Sequence, residues 1–322
     1  MTGKPSPAVP TSLAEALAAV GETYLTDDVR ELFHVGPETL AEFRDPAKAE
    51  RYRGPRAEGV EVREEPVPGT PGVRALVYTP VALAMPAPAL LWLHGGGMVG
   101  GSAAGVDDVA SRFAADLGCV VVVPDYRLAP EHPYPAAIDD CFAALAWMAD
   151  GLDGVVDPAR LVVGGDSAGG GLAASVAQRA HDEGVPLRLQ VLMAPMLDDR
   201  TVPRSERMGR VAIVWTVPSN RFGWQSYLGH EPGQDETRPY AVPARREDLT
   251  GLAPAWLSVG GADLFLDEAV AYAERLRAAG VPVELVTVPG AHHGSEATTP
   301  DHPEVLRLQA KRRAAIRAAF DA

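Results

Sequence analysis

The chain has 322 residues, 47% hydrophobic and 22% charged, the balance of a soluble globular protein; collagen-like, low-complexity and largely disordered readings are excluded. Such a length fits two average domains or one large α/β domain with a sizeable core. With 29 Lys+Arg against 43 Asp+Glu, the formal net charge of −14 offers no general field for nucleic acid or anionic lipid, so a neutral small molecule is the expected partner, with no nucleic acid and no membrane.

Residues 1–11 are rich in proline and polar residues and are expected to be loose. Ser12 with Glu15 reads as a capping box, and Leu13, Leu17 and Val20 supply a helical stripe. The stretch 13–20 carries Glu15, so it does not read as a signal peptide. A second short helix is expected over 27–35, closed by Gly36. Strand-like runs follow at 60–67, 73–79, 89–93, 119–125, 161–165, 189–195, 255–260 and 283–288. Several of these are continuous apolar runs, as in strands buried on both faces of a parallel sheet. Helical patterns alternate with them at 105–117, 136–149, 168–183, 267–279 and 302–320; Gly118, Gly184 and Gly280 are placed to close three. This alternation predicts an α/β sheet with helices on both faces.

Residues 197–250 break the rhythm and are too long for a simple crossover. They hold Trp215, Phe222, Trp224 and Tyr227. Either they form a surface subdomain around these aromatics or they cap a pocket at the strand C-termini, where open α/β sheets bind ligands. The basic run Lys311-Arg312-Arg313 falls in the last helical pattern and reads as a solvated face. Two cysteines, Cys119 and Cys141, make no disulfide framework and no zinc site, and Cys119 reads as a buried strand thiol. The histidines show no metal-ligand spacing. No run approaches the ~20 apolar residues of a membrane span, and a cytoplasmic protein is the default expectation.

Three motifs carry chemistry. Gly165-Asp166-Ser167-Ala168-Gly169 fits G-x-S-x-G between an expected strand and an expected helix. That setting puts a serine hydroxyl on a sharp turn at a helix N-terminus, where backbone N–H groups favour developing negative charge. His94-Gly95-Gly96-Gly97 follows the strand at 89–93, and unhindered glycine N–H groups suit an oxyanion, joined by the N–H of Ala168. The rival reading of Gly95, Gly97 and Gly100 as a dinucleotide fingerprint puts Asp107 and Asp108 in the helix that would receive the pyrophosphate, and leaves Ser167 unexplained. An acid and a base are needed downstream of the serine. Asp263 follows the strand at 255–260; nearby Asp267 reads as the N-cap of a helix over 268–279. His292 and His293 follow the last strand, and one of them must be a bystander.

At this point the chain resembles the hormone-sensitive-lipase-like family of α/β-hydrolase esterases. The matching pieces are 94–97, the run Tyr126-Arg127-Leu128-Ala129-Pro130-Glu131-His132-Pro133, 165–170, 263–268 and His293-Gly294, in order over about 60–320. The resemblance implies an α/β-hydrolase fold: an eight-stranded, mostly parallel sheet with helices on both faces and a helical cap. It implies Ser167 as nucleophile, Asp263 as orienting acid, His293 as base, and Gly95, Gly96 and Ala168 as oxyanion donors. It further implies no cofactor or metal, short-chain carboxylic esters as substrates, an N-terminal cap segment over 1–45 preceding a catalytic domain over 46–322, a cap insertion over 197–235, and a homodimer through the eighth-strand edge. The chain departs from the family at Leu264, His292 and Ser295, where a proline and aromatics are common, so a more open or more polar wall is expected near His293. The leading function is a serine carboxylesterase. The alternatives are an inactive small-molecule-binding protein on the same scaffold, or an acyltransferase or amidase using the same three residues.

Overall fold

A computed structural model describes residues 9–26, 34–47 and 53–322. Helix α1 spans Leu13–Ala19, and Ser12 Oγ accepts from the Glu15 N–H as expected. The Glu15 carboxylate accepts most strongly from Thr11, whose N–H lies 2.7 Å away. Most of the helix expected over 27–35 lies outside the described residues. Gly36 takes no left-handed φ; its N–H donates to Thr39 Oγ1 and opens the turn into the short α2, Leu40–Phe43.

The strands are β1 Val60–Pro66, β2 Arg74–Pro80, β3 Ala87–Leu93, β4 Val120–Pro124, β5 Val156–Asp166, β6 Leu189–Met193, β7 Ala255–Gly260 and β8 Val283–Val288. They form one eight-stranded sheet in the order β1-β2-β4-β3-β5-β6-β7-β8. β1 and β2 pair antiparallel, as do β2 and β4, and every other pairing is parallel. Parallel strands send the loops that follow β3, β5, β7 and β8 out at one edge of the sheet, which gathers the motifs.

Side chains alternate between the two faces with the strand period of two. Leu91, Leu93, Val163, Leu192 and Leu257 point to one layer, covered by α4 (Ala136–Ala149), α5 (Ala168–Glu183) and α8 (Leu266–Ala278). Leu90, Trp92, Val162, Val191 and Trp256 point to the other, covered by α3 (Asp107–Leu117) and α9 (Pro303–Asp321). Each fully buried aliphatic side chain contributes about 1.5–3 kcal/mol of transfer free energy, so the central strands hold the motif loops on a stiff platform.

Two expectations are corrected here. Arg312 is not on a solvated face: it is 4% exposed. It lies on the inward stripe with Leu308 and Ile316, donates to both carboxylate oxygens of Glu296 at 3.0 and 3.1 Å, and rests over the Phe113 ring at 5.1 Å. The 197–250 stretch is not a subdomain with its own core. It forms α6 (Thr201–Arg207) and α7 (Val217–Leu228), and Trp215, Trp224 and Tyr227 join the same apolar layer as Leu93 and Met98.

Candidate active site

β5 runs straight into the turn at Ser167, whose φ of 55° and ψ of −119° lie outside the ordinary regions for a serine. Such a conformation costs of order 1–3 kcal/mol and persists only when the surroundings over-determine it. Here Ser167 N–H donates to Met193 O at 2.8 Å, and Ser167 O accepts from Met196 and Gly171 N–H groups at 2.9 and 3.0 Å. A Cβ on Gly169 would lie 2.0 Å from Leu93 O, so only glycine lets α5 start against the end of β3. The hydroxyl therefore stands at the N-terminus of a 16-residue helix.

After β3, the chain turns through His94. Its ring stacks on Tyr126 at 4.1 Å, its backbone carbonyl accepts from the Tyr126 hydroxyl at 2.7 Å, and its Nδ1–H donates to Gly95 O at 2.9 Å. Burial pushes the His94 pKa down, which keeps the ring neutral. The glycine loop lies against the serine turn: a Cβ on Gly95 would be 2.5 Å from Asp166 Oδ2. Among the described residues, the N–H groups of Gly95, Gly96 and Ala168 donate to no acceptor, leaving three donors beside the serine turn.

The remaining two groups arrive from β7 and β8. Asp263 is 1% exposed; its Oδ2 accepts from His293 Nδ1–H at 2.9 Å and its Oδ1 from Phe265 N–H at 2.9 Å. His293 Nε2 lies 2.9 Å from Ser167 Oγ. The structure thus brings Asp263, His293 and Ser167 into one hydrogen-bonded line. Burial works against the His293 imidazolium, but the charge and hydrogen bond of Asp263, with the charge of Asp166, outweigh it and raise the pKa above the usual imidazole value. Asp166 is itself pushed up to about 6, chiefly by burial, with the His293 charge opposing.

The neighbours sort differently from expectation. Asp267 is not an N-cap: α8 begins at Leu266 with Phe265 at the cap position, because the Asp263 carboxylate already accepts from the Phe265 N–H. The Asp267 carboxylate instead lies 3.4 Å from Arg210 at the surface. His292 is the bystander: Nδ1–H donates to His293 O at 2.6 Å, and burial lowers its pKa. His292, Leu264 and Ser295 are 2%, 1% and 9% exposed, so these departures form packed backing, not an open wall.

The N-terminal segment and the 197–250 stretch join above this edge of the sheet. Val211 N–H donates to Pro10 O at 2.8 Å, Val35 N–H donates to Ser219 Oγ at 2.8 Å, and His34 Nδ1 lies 2.8 Å from Thr216 Oγ1. Arg44 donates to Val99 O, Ala129 O and both Glu131 carboxylate oxygens, at 2.6 to 2.8 Å. The Trp215 ring lies 6.5 Å from the His293 ring and 6.5 Å from Phe43. Sequence reasoning passed over Asp166, although it sits inside the serine motif, and over Phe43 and Arg210. Arg210 donates to the Asp263 carbonyl at 3.0 Å, a contact with no local sequence signal because the residues are 53 apart. Among the described residues, no group of three or more His, Cys, Asp or Glu is arranged to hold a metal, and no helix is long and apolar enough to cross a membrane.

A family model of the alpha/beta hydrolase fold matches residues 90–297. The chain belongs to this family, and within the α/β-hydrolases to its hormone-sensitive-lipase-like group. Esterase LipI of Mycobacterium tuberculosis is 41% identical over 212 residues, 65% of this chain and 65% of its own, so the match spans just under two thirds of that relative. Carboxylesterase NlhH of the same organism is 37% identical over 240 residues, 73% of this chain and 75% of its own. Among solved structures, a bacterial heroin esterase superposes with a TM-score of 0.86 at 36% identity, covering 94% of this chain and 99% of its own.

Proposed function

We propose that the chain is a carboxylic ester hydrolase, a serine carboxylesterase with Ser167 as nucleophile, His293 as base and then acid, and Asp263 as the group that orients the imidazole. The observation that carries this reading is the line Asp263–His293–Ser167, both links at 2.9 Å. Ser167 Oγ attacks the ester carbonyl while His293 Nε2 takes its proton. The carbonyl oxygen, now an oxyanion, rests on the N–H groups of Gly95, Gly96 and Ala168; one such donor supplies about 10²–10³ in kcat. The C–O bond then breaks, the alcohol leaves with the proton from His293, and water repeats the sequence on the acyl-Ser167 ester. The names of LipI and NlhH support the substrate class. A scaffold that only bound its ligand would have no use for a buried base held by a carboxylate. The two free, buried cysteines suit the reducing cytoplasm.

The test is covalent labelling by a fluorophosphonate together with hydrolysis of p-nitrophenyl esters of graded acyl length. Labelling at Ser167 and faster turnover of acetate or butyrate than of long-chain esters are expected. No labelling, or faster hydrolysis of long-chain triglyceride emulsions than of butyrate esters, would overturn this reading.

The pH dependence follows from His293, which must be neutral to accept the serine proton. Activity rises as pH rises through its pKa. Because Asp263 and Asp166 hold the imidazolium, the midpoint in kcat/KM should lie above the ordinary value of about 6.5. Asp166→Asn removes one of the two carboxylate charges and should move that midpoint down. A profile flat from about pH 5 to 9 would argue against a histidine base.

We also propose a homodimer through β8. It is the last strand of the sheet, so one row of its backbone groups faces away from the other strands, and Val283–Val288 carries a single charge, Glu284. Light scattering at micromolar concentration should give twice the chain mass; a monomer there would end the idea.

A further inference from the structure

The glycine loop does more than offer donors. A Cβ on Gly97 would lie 2.1 Å from Trp215 Cη2, and one on Gly100 would lie 2.5 Å from Phe43 Cε1. The space above these two glycines is filled by two aromatic rings, one from each part of the cap. A Cβ on Gly223 of α7 would lie 2.8 Å from Gly97 O, so the helix after Trp215 is pressed onto the same loop. Trp215 is 5% exposed, and its indole N–H donates to Asn220 Oδ1 at 3.2 Å, which fixes the ring plane.

The same ring faces the base. Of the groups around the His293 imidazole, Asp263 holds Nδ1, Ser167 holds Nε2, and Phe265 stands edge-on at 5.1 Å. Trp215, at 6.5 Å, is the ring that comes from the cap. Under the proposed esterase reading, on which this inference rests, the departing alcohol oxygen must receive its proton from Nε2. Whatever that oxygen carries has to find room next to His293, where Trp215 stands with Phe43 behind it. The residue before the ring, Val214, has a φ of 63°, a left-handed conformation that a β-branched side chain adopts only under constraint. Strain of this kind gathers at clamps and switch segments.

We propose that Trp215, backed by Phe43, determines specificity for the alcohol half of the ester, admitting compact leaving groups and excluding bulky ones from the space between Gly97 and His293. The ring acts as a fixed wall, and the strained Val214 aims it.

The test compares wild type, Trp215→Ala and Trp215→Phe on two substrate sets: acetate esters of graded alcohols, from ethyl to 1-naphthyl, and p-nitrophenyl esters of graded acyl length. In Trp215→Ala the ratio of kcat/KM for naphthyl over ethyl acetate should rise by about tenfold or more, the scale of a pocket enlarged by several methylenes. The acyl-length profile should stay parallel to that of wild type, and Trp215→Phe should fall between. An equal loss on every alcohol would reduce Trp215 to a packing residue and overturn the proposal. So would a change confined to the acyl series, or none at all. Fluorophosphonate labelling of each variant reports an assembled site. If Trp215→Ala fails to label, the proposal stands or falls on the ratio in Trp215→Phe. Ester turnover that survives Ser167→Ala would instead sink the esterase reading, a result separate from the alcohol ratios.

Discussion

Ser167→Ala is expected to lower kcat by about 10⁶-fold, the scale found when the nucleophile of a serine protease is removed. The substitution deletes only the Oγ that lies 2.9 Å from His293 Nε2. The backbone bonds from Ser167 to Met193, Met196 and Gly171 remain, so the strained turn should hold and stability should change little. The variant should therefore fold, retain the donors of the glycine loop, and still bind ester. Turnover of p-nitrophenyl butyrate, measured beside the denaturation midpoint, checks both parts. Residual activity within tenfold of wild type would show that Ser167 is not the nucleophile.

Asp263→Asn should lower kcat by about 10⁴-fold with the fold intact, as the matching change does in a serine protease. The geometry explains the size of the loss. One oxygen of Asp263 accepts from Phe265 N–H and the other from His293 Nδ1–H. An asparagine that keeps its oxygen on Phe265 must turn its amide N–H₂ toward Nδ1. That donor favours the tautomer with the proton on Nε2, which then has no lone pair for the serine proton. Asp267→Ala is the control. Its carboxylate is half exposed and only 3.4 Å from Arg210 at best, so removing it should cost under about 1 kcal/mol and spare activity. The reverse pattern, with Asp267→Ala inactive and Asp263→Asn active, would be incompatible with the triad proposed here.

The sheet was legible because its signals are local. Continuous apolar runs mark β3, β4 and β5, and left-handed glycines close α3 and α5 at Gly118 and Gly184 where the pattern stops. The beginning of β5 was not: 157–160 read as Asp-Pro-Ala-Arg, and only the pairing of Val156 with Ala87 reveals that the strand starts there. Ser167, Asp263 and His293 were legible as strand-end residues in the order a triad requires. Choosing His293 over His292 needed a resemblance, since both follow β8 and only the fold decides which ring meets Ser167. Asp267 misled because capping statistics reward an acid before an apolar stripe and are blind to Asp263 occupying the first free N–H of that turn. Arg312 misled because a charge run is normally solvated, whereas its partner Glu296 comes from another element. Trp215 announced itself by type and Phe43 did not; nothing near Trp215 in the chain points to Gly97, and nothing near Phe43 points to Gly100.

The N-terminal segment closes against residues made much later. Thr23 meets His302, 279 positions further on, at 2.9 Å; Gly21 N–H donates to Gly290 O, next to the loop that bears His293. At the usual speed of about 5–20 residues per second, a ribosome needs roughly a quarter of a minute to a minute to cover that distance. During this interval Gly21 has no Gly290 to bond and Tyr24 no His302 ring to stack on, and the segment is a tether awaiting its anchor. Its docking belongs among the last events of folding, since contacts this distant in sequence pay the largest loop-closure entropy. The nascent chain can thus lay down most of the sheet while the reactive edge is still incomplete, and the site gains its roof only after the last strand has been made.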